Sequence, residues 1–281
     1  MKGSYTYKPV RFFLITNVIM WAVWLYTAYL SYQPGGGPGG LISALEILGL
    51  CTPMATALWM IFTSKSTELK QNLFHRLFDI KLIRLWTVPA VFLIVPAAIV
   101  ISVWLSHVFF GQSLDQLAMV KGSPFVAGVI PAQVLLVLAP VIEEIGWKGY
   151  GIESLRGRRS FLTATLIFAA LWAFWHGPLF FVHDYYQNTL IRANPLFALN
   201  FVISFFPMTV IFHWLWYKNR GSILTAILLH GVADFQGMLQ MGQIAKCIET
   251  AVFFVIAAVV VGFNTKMFFG EFPARIGDFG Q

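Results

Sequence analysis

Two adjacent carboxylates and a lysine form the first group of residues that could do chemistry: Glu143-Glu144-Ile-Gly-Trp-Lys148. Glu144 and Lys148 are four residues apart, so on a helix they share a face and the lysine can neutralise that carboxylate. Glu143 lies about 100° further round the helix and faces elsewhere. The spacing therefore predicts different roles for the two carboxylates. Taken alone, a solvated helix end explains the group equally well.

Two further groups contain histidines. Trp172-Ala-Phe-Trp-His176 places the imidazole one helical turn after Trp172, and His230-Gly-Val-Ala-Asp234 places imidazole and carboxylate on one helical face. Histidine changes its charge near neutral pH, so it can accept or donate a proton in catalysis. A hydrogen-bonded core histidine and a structural pair are the ordinary explanations when each group is considered separately.

The joint presence of these groups favours function. An ionisable residue at the bilayer centre costs about 2.5–3.5 kcal/mol to insert, so such residues mark functional sites by default. Six of them on three neighbouring apolar segments can line one polar cavity and satisfy one another. They are Glu143, Glu144, Lys148, His176, His230 and Asp234. His213, one turn from the end of another apolar segment, is interpreted as an interfacial histidine.

The segments that must position these residues are apolar and long. The 281-residue chain is 58% hydrophobic and only 11% charged. Its apolar runs are continuous rather than alternating, which predicts helices rather than strands. We expect an all-α polytopic membrane protein forming one domain over residues 1–281, with the polar cavity between its fourth, fifth and seventh spans. About eight transmembrane helices are predicted, at 12–32, 42–63, 85–106, 124–142, 161–182, 197–217, 222–239 and 248–269.

Charge distribution predicts the orientation of the chain. If the N-terminus is cytoplasmic, 16 of the 19 Lys and Arg residues lie on the cytoplasmic side, as the positive-inside rule requires with both termini there. The net charge of +7 then reflects membrane topology, not nucleic-acid binding. Residues 64–83, which include Arg76, are expected to form an amphipathic helix on the cytoplasmic surface. Cys51 and Cys247 lack partner spacing and are interpreted as packing residues.

At these motifs the sequence resembles the CAAX protease and bacteriocin-processing family, also called the type II CAAX prenyl endopeptidase or abortive-infection family. The family's motifs run Glu-Glu-x-x-x-Arg, Phe-x-x-x-His and His-x-x-x-Asn or Asp, in the order found here. The chain departs from them in three places, with Lys148 for arginine, Trp172 for phenylalanine and Asp234 where asparagine is common.

The resemblance implies an intramembrane endopeptidase that uses no cofactor or metal and whose partners are membrane lipids and a lipidated protein or peptide. One such reaction is removal of a C-terminal tripeptide after a lipidated cysteine. Glu143 would activate water together with His176, His230 would donate to the oxyanion, and Asp234 would orient His230 or, if protonated, donate as well. Glu144 and Lys148 would secure the geometry, and Trp172 would pack.

Three alternatives stay open. A zinc-dependent intramembrane protease could use Glu143, His176 and His230 as ligands, although the usual His-Glu-x-x-His helix is absent. A non-catalytic immunity or scaffold protein, or a proton-coupled carrier, could keep the same residues. A serine or cysteine nucleophile is disfavoured because no motif pairs one with a base. The oligomeric state is left open.

Overall fold

Helices make up most of the structure, a computed structural model that describes residues 5–120, 132–155 and 159–270. Over these residues we find no regular strand, only an isolated bridge between Met119 and Leu239. The helices are α1 (Pro9–Ser31), α2 (Gly39–Leu50), α3 (Thr52–Thr63), α4 (Thr67–Phe78), α5 (Val88–Phe110), α6 (Ala132–Gly146), α7 (Ile152–Ser154), α8 (Phe161–Trp175), α9 (Tyr186–Ala193), α10 (Pro195–Lys218), α11 (Ile223–Asp234), α12 (Gln243–Phe263) and α13 (Thr265–Phe269).

Five helical segments in the described part of the chain are long and apolar enough to cross a membrane. The bent pair α2 and α3 makes a sixth if it counts as one span. This agrees with the all-helical, multi-span prediction. Part of the predicted span 124–142 lies outside the described residues, and α6 covers the remainder. The five segments are Pro9–Ser31, Leu85–Phe110, Phe161–Phe181, Pro195–Lys218 and Gln243–Phe263.

The predicted continuous span 42–63 is divided in two. α2 and α3 meet at Cys51 with a bend of 44°. Pro53 lies in the first turn of α3, where its missing N–H is tolerated but where it ends the hydrogen-bond ladder of α2. Thr52 hydrogen-bonds across the bend. Its hydroxyl donates to the carbonyl of Gly49 (2.7 Å) and accepts from the Trp175 indole (3.3 Å).

α6 packs between α3 and α11, and its last residue makes the closest approach. A Cβ added to Gly146 would lie 2.4 Å from the carbonyl carbon of Pro53 and 2.7 Å from the Met54 nitrogen. Both are backbone atoms, which cannot rotate away. Glycine at 146 is therefore what allows α3 and α6 to touch backbone to backbone.

Beyond Gly146 the regular α-helical geometry is interrupted. The chain widens into a π turn over Trp147–Gly151, and every residue of that turn is buried. π turns are rare and concentrate at functional sites. The turn changes the pattern of backbone hydrogen bonds in the segment that contains Lys148.

Two sequence interpretations were wrong about burial. α4 is amphipathic as predicted, with Leu69 and Leu73 buried, but Arg76 is only 2% exposed rather than a surface charge. His213 is fully buried rather than interfacial, because it lies on the side of α10 that packs against α8, with its Nδ1 3.0 Å from the Thr165 hydroxyl. In both cases a polar partner from a distant segment replaces water.

Candidate active site

Glu143 lies in the last turn of α6, almost completely buried. Its Oε2 accepts two indole hydrogen bonds, from Trp147 Nε1 and Trp172 Nε1, each 3.2 Å long. Both bonds end on the same oxygen, so they orient the carboxylate without occupying Oε1. This carboxylate is held by neutral donors and can act as an acid or base.

Glu144 has a different environment, completely buried and next to two nitrogen groups. Its Oε1 lies 2.8 Å from His230 Nδ1, and its Oε2 lies 3.1 Å from Lys148 Nζ in an ion pair. The buried Lys148 ammonium also lies over the Phe168 ring, 4.8 Å from its centroid. Charge in this part of the site is locally compensated, as buried charge must be.

His230 lies between two carboxylates. Its Nδ1 donates to Glu144, and its Nε2 is 3.5 Å from Asp234 Oδ1, one turn further along α11. From the sequence, Asp234 was expected to orient His230. The shorter contact is to Glu144, on another helix, and sequence spacing gives no signal for it.

His176 ends α8, and a backbone acceptor sets its tautomer. Its Nδ1 is 2.9 Å from the Trp172 carbonyl oxygen, so Nδ1 carries the hydrogen and Nε2 keeps a lone pair. The ring is packed against Trp175 and Phe205, with centroids 4.7 and 4.8 Å away. A neutral imidazole held in this way presents Nε2 as a hydrogen-bond acceptor.

Trp172 joins the three sequence groups. Its indole binds Glu143, its carbonyl accepts from His176, and its ring lies edge-on to His230 with centroids 5.6 Å apart. The sequence assigned it only a packing role. The structure thus brings residues of all three motifs around one side chain.

Sequence reasoning missed one residue here. Trp147 donates to Glu143, and its i, i+4 spacing from that residue was an available signal.

Among the residues that the structure describes, no group of three or more His, Cys, Asp or Glu side chains is placed to hold a metal ion. Cys51 and Cys247 are half-buried free thiols. The residues brought together in the site are acid–base and hydrogen-bonding groups: three carboxylates, two imidazoles and an ammonium.

Comparison with known proteins agrees with the motifs. Residues 124–236, which contain all three groups, match the family model described as type II CAAX prenyl endopeptidase Rce1-like. The CAAX prenyl protease 2 of Methanococcus maripaludis is 39% identical over 270 residues, which cover 96% of this chain and 98% of that protein. With its five or six candidate spans, the chain is an integral membrane protein. The resemblance seen in the motifs is confirmed: the chain belongs to the Rce1-like family of type II CAAX prenyl endopeptidases.

Proposed function

We propose that this protein is a metal-independent intramembrane endopeptidase that cleaves the C-terminal tripeptide from lipidated, CAAX-type proteins or processes membrane-associated peptides. The observation that carries the proposal is the convergence of Glu143, His176 and His230 on Trp172. Family membership supports the peptide substrate. The relative's name supports a prenylated cysteine beside the scissile bond.

In the proposed reaction Glu143 is the general base. Water, hydrogen-bonded to His176 Nε2, gives a proton to Glu143 as its oxygen bonds to the scissile carbonyl carbon. The carbonyl electron pair moves to the oxygen. When the tetrahedral intermediate collapses, the C–N bond breaks and the departing amine takes the proton from Glu143. The products are a carboxylic acid and an amine, which become carboxylate and ammonium when the acid's proton passes to the amine, and Glu143 is again ionised.

His230 is the proposed oxyanion donor. With Nδ1–H committed to Glu144, a proton on Nε2 makes the ring an imidazolium, which Glu144 and Asp234 both favour. Donors aimed at developing charge in a water-excluded site supply a large share of catalysis. Lys148 keeps Glu144 ionised as the acceptor of that bond.

The proposed topology has eight spans with both termini cytoplasmic, in one domain of residues 1–281. Adding α6 and α11 to the six candidate segments gives eight. In this arrangement α6, α8 and α11 are the fourth, fifth and seventh spans, and they enclose the polar cavity. Contacts between Glu143 and Trp172 and between Glu144 and His230 support it by joining these three helices. Reporter fusions at each terminus and at Gly37 test it: both termini must report cytoplasmic and Gly37 the opposite side.

The decisive experiment is cleavage of a prenylated CAAX peptide by the purified protein in lipid vesicles, with mass spectrometry identifying the released tripeptide. Glu143→Gln and His176→Ala are each expected to lower kcat by about 10²–10⁴-fold, the usual contribution of general acid–base groups. Lys70→Gln, on α4 away from the site, serves as the control and should cleave normally. Wild-type protein that leaves prenylated and membrane-associated peptides intact would refute the proposal. If cells that carry Glu143→Gln or His176→Ala keep the phenotype conferred by the wild-type protein, the protein has a scaffold or immunity role.

Metal dependence is tested in the same assay. A zinc-dependent protease would lose activity on prolonged treatment with a strong chelator and regain it when zinc is added back. The proposed mechanism predicts unchanged kcat after chelation. The family relation is compatible with either result, so this measurement alone chooses between the two mechanisms.

A further inference from the structure

Arg76 is a buried cation outside the three motifs. It lies on α4, and its guanidinium donates from Nε to Asn72 Oδ1 (2.8 Å), from Nη1 to the Lys148 carbonyl (2.9 Å) and Glu153 Oε1 (3.2 Å), and from Nη2 to the Gly149 carbonyl (3.2 Å). Each of its nitrogens therefore has a partner. A cationic side chain buried this completely is costly unless it is fully hydrogen-bonded.

Two of these acceptors are adjacent backbone carbonyls of the π turn Trp147–Gly151. A planar guanidinium presents a rigid fork of donors, so it can bind neighbouring carbonyls at once, which the single nitrogen of a lysine cannot reproduce. A further donation from Nη1, 3.5 Å long, reaches a third backbone carbonyl, that of Gly221 just before α11. Arg76 thus connects the surface helix α4 with the turn after α6 and the start of α11.

The connection continues into the site through three short contacts. The Lys148 carbonyl accepts from Arg76, the Lys148 ammonium lies 3.1 Å from Glu144, and Glu144 lies 2.8 Å from His230. All four side chains are buried. A shift of the π turn would therefore move Lys148, and with it the carboxylate that orients His230.

We propose that Arg76 is a positioning residue for this site: by holding the carbonyls of Lys148 and Gly149 it fixes the π turn and, through Lys148 and Glu144, the orientation of His230. Its role in the reaction rests on the endopeptidase function proposed above. Arg76 touches no reacting atom, so it acts on the rate of the chemical step rather than on substrate affinity. A buried ion pair between Arg76 and Glu153 that only stabilises the fold is the competing explanation.

Arg76→Lys separates the two explanations, because it keeps the charge beside Glu153 but loses the fork. We expect kcat to fall by about ten- to a hundredfold with KM within about threefold, since small misplacements of catalytic groups have effects of this size. Glu153→Gln is the matched variant: it removes the ion pair while leaving both carbonyl contacts, so kcat of the folded protein should stay near wild type. Lys70→Gln removes a cation from the same helix and should change neither constant.

A second measurement does not depend on cleavage. In protein with ¹⁵N-labelled histidine, the Nδ1–H resonance of His230, assigned by its loss in His230→Ala, reports the bond to Glu144. Arg76→Lys should shift this resonance, whereas Glu153→Gln and Lys70→Gln should leave it in place. If wild-type protein cleaves no peptide, the endopeptidase proposal fails, and this resonance still decides whether Arg76 positions His230.

The proposal is overturned if Arg76→Lys has wild-type kcat and an unshifted His230 resonance. It is equally overturned if Arg76→Lys lowers the thermal stability but leaves kcat per folded molecule equal to that of the wild type. Should Arg76→Lys not fold, Asn72→Ala takes its place, because it removes only the acceptor of Nε. A lower kcat at constant KM with a shifted His230 resonance then supports the proposal, and an unchanged kcat and resonance contradict it.

Discussion

His230 Nδ1 lies 2.8 Å from Glu144 Oε1, a bond between residues 86 positions apart in the chain. It joins α11 to α6 and leaves the two neighbouring carboxylates with different partners. Glu144 is bound by an imidazole and an ammonium, whereas Glu143 is bound by two indole N–H groups. The first is thereby suited to hold the site together, and the second to exchange a proton.

Replacing Lys148 should expose the cost of removing one partner of a buried carboxylate. Lys148→Met leaves Glu144 with His230 alone, and we expect the free energy of unfolding to fall by about 3–5 kcal/mol. The double variant Glu144→Gln with Lys148→Met should recover most of that stability, because no uncompensated charge remains. Thermal unfolding in detergent measures both variants. A double variant as unstable as the single one would show that Lys148 acts through packing on Phe168 rather than through its charge.

The two indole donors to Glu143 can be removed one at a time. Trp147→Phe and Trp172→Phe should each lower kcat by about tenfold, the effect of losing a hydrogen bond worth ~1.5 kcal/mol to a charged group. Trp24→Phe is the matched control, since that indole donates to the Glu46 carbonyl and not to Glu143. Equal kcat in all three variants would mean that packing alone orients Glu143.

Asp234→Asn tests whether charge is needed at the end of α11. Without the negative charge, the amide keeps a polar group beside His230 Nε2, which lies 3.5 Å from Asp234 Oδ1 in the wild type, and adds a donor for the oxyanion. We expect kcat within about threefold of wild type, while Asp234→Leu, which removes all hydrogen bonding, should lose about 10²-fold or more. A large loss in Asp234→Asn would instead assign the aspartate an electrostatic role in keeping His230 charged.

Gly146→Ala should separate α3 from α6. The added methyl would overlap backbone atoms of Pro53 and Met54, and overpacking of this kind costs about 1–3 kcal/mol. Because Glu143 and Glu144 are in the same turn, activity should fall as well. Gly262→Ala, on α12 with no neighbour near its Cβ position, is the control and should be neutral for both stability and activity. Wild-type behaviour of Gly146→Ala would show that α3 can move without disturbing the carboxylates.

The sequence was enough to predict the long helices and the contacts between residues one helical turn apart. The apolar runs correspond to α1, α5, α8, α10 and α12, since length and hydropathy alone identify a helix able to cross a bilayer. The contacts of Glu144 with Lys148 and of His230 with Asp234 follow from i, i+4 geometry. Such relationships depend on residues within one helix.

Features that depend on distant segments were not predictable. Arg76 has the spacing of a surface charge on an amphipathic helix, and only the packing of α4 on the π turn buries it. The π turn has no simple sequence signal. Glu144 and His230 meet because α6 packs on α11, which no local pattern contains. Pro53 indicated the break in the second predicted span. The apolar run continues across that proline, however, and therefore favoured one continuous helix.

The tautomer of His176 limits where a proton can travel. A relay histidine takes up a proton at one nitrogen and releases another from the opposite one. The Nδ1–H of His176 points at a peptide carbonyl, which cannot be protonated at physiological pH. Any proton that binds Nε2 must leave from Nε2. In the proposed reaction His176 therefore cannot pass protons from the site to the bulk solvent, which leaves water, substrate and Glu143 as the groups that exchange them.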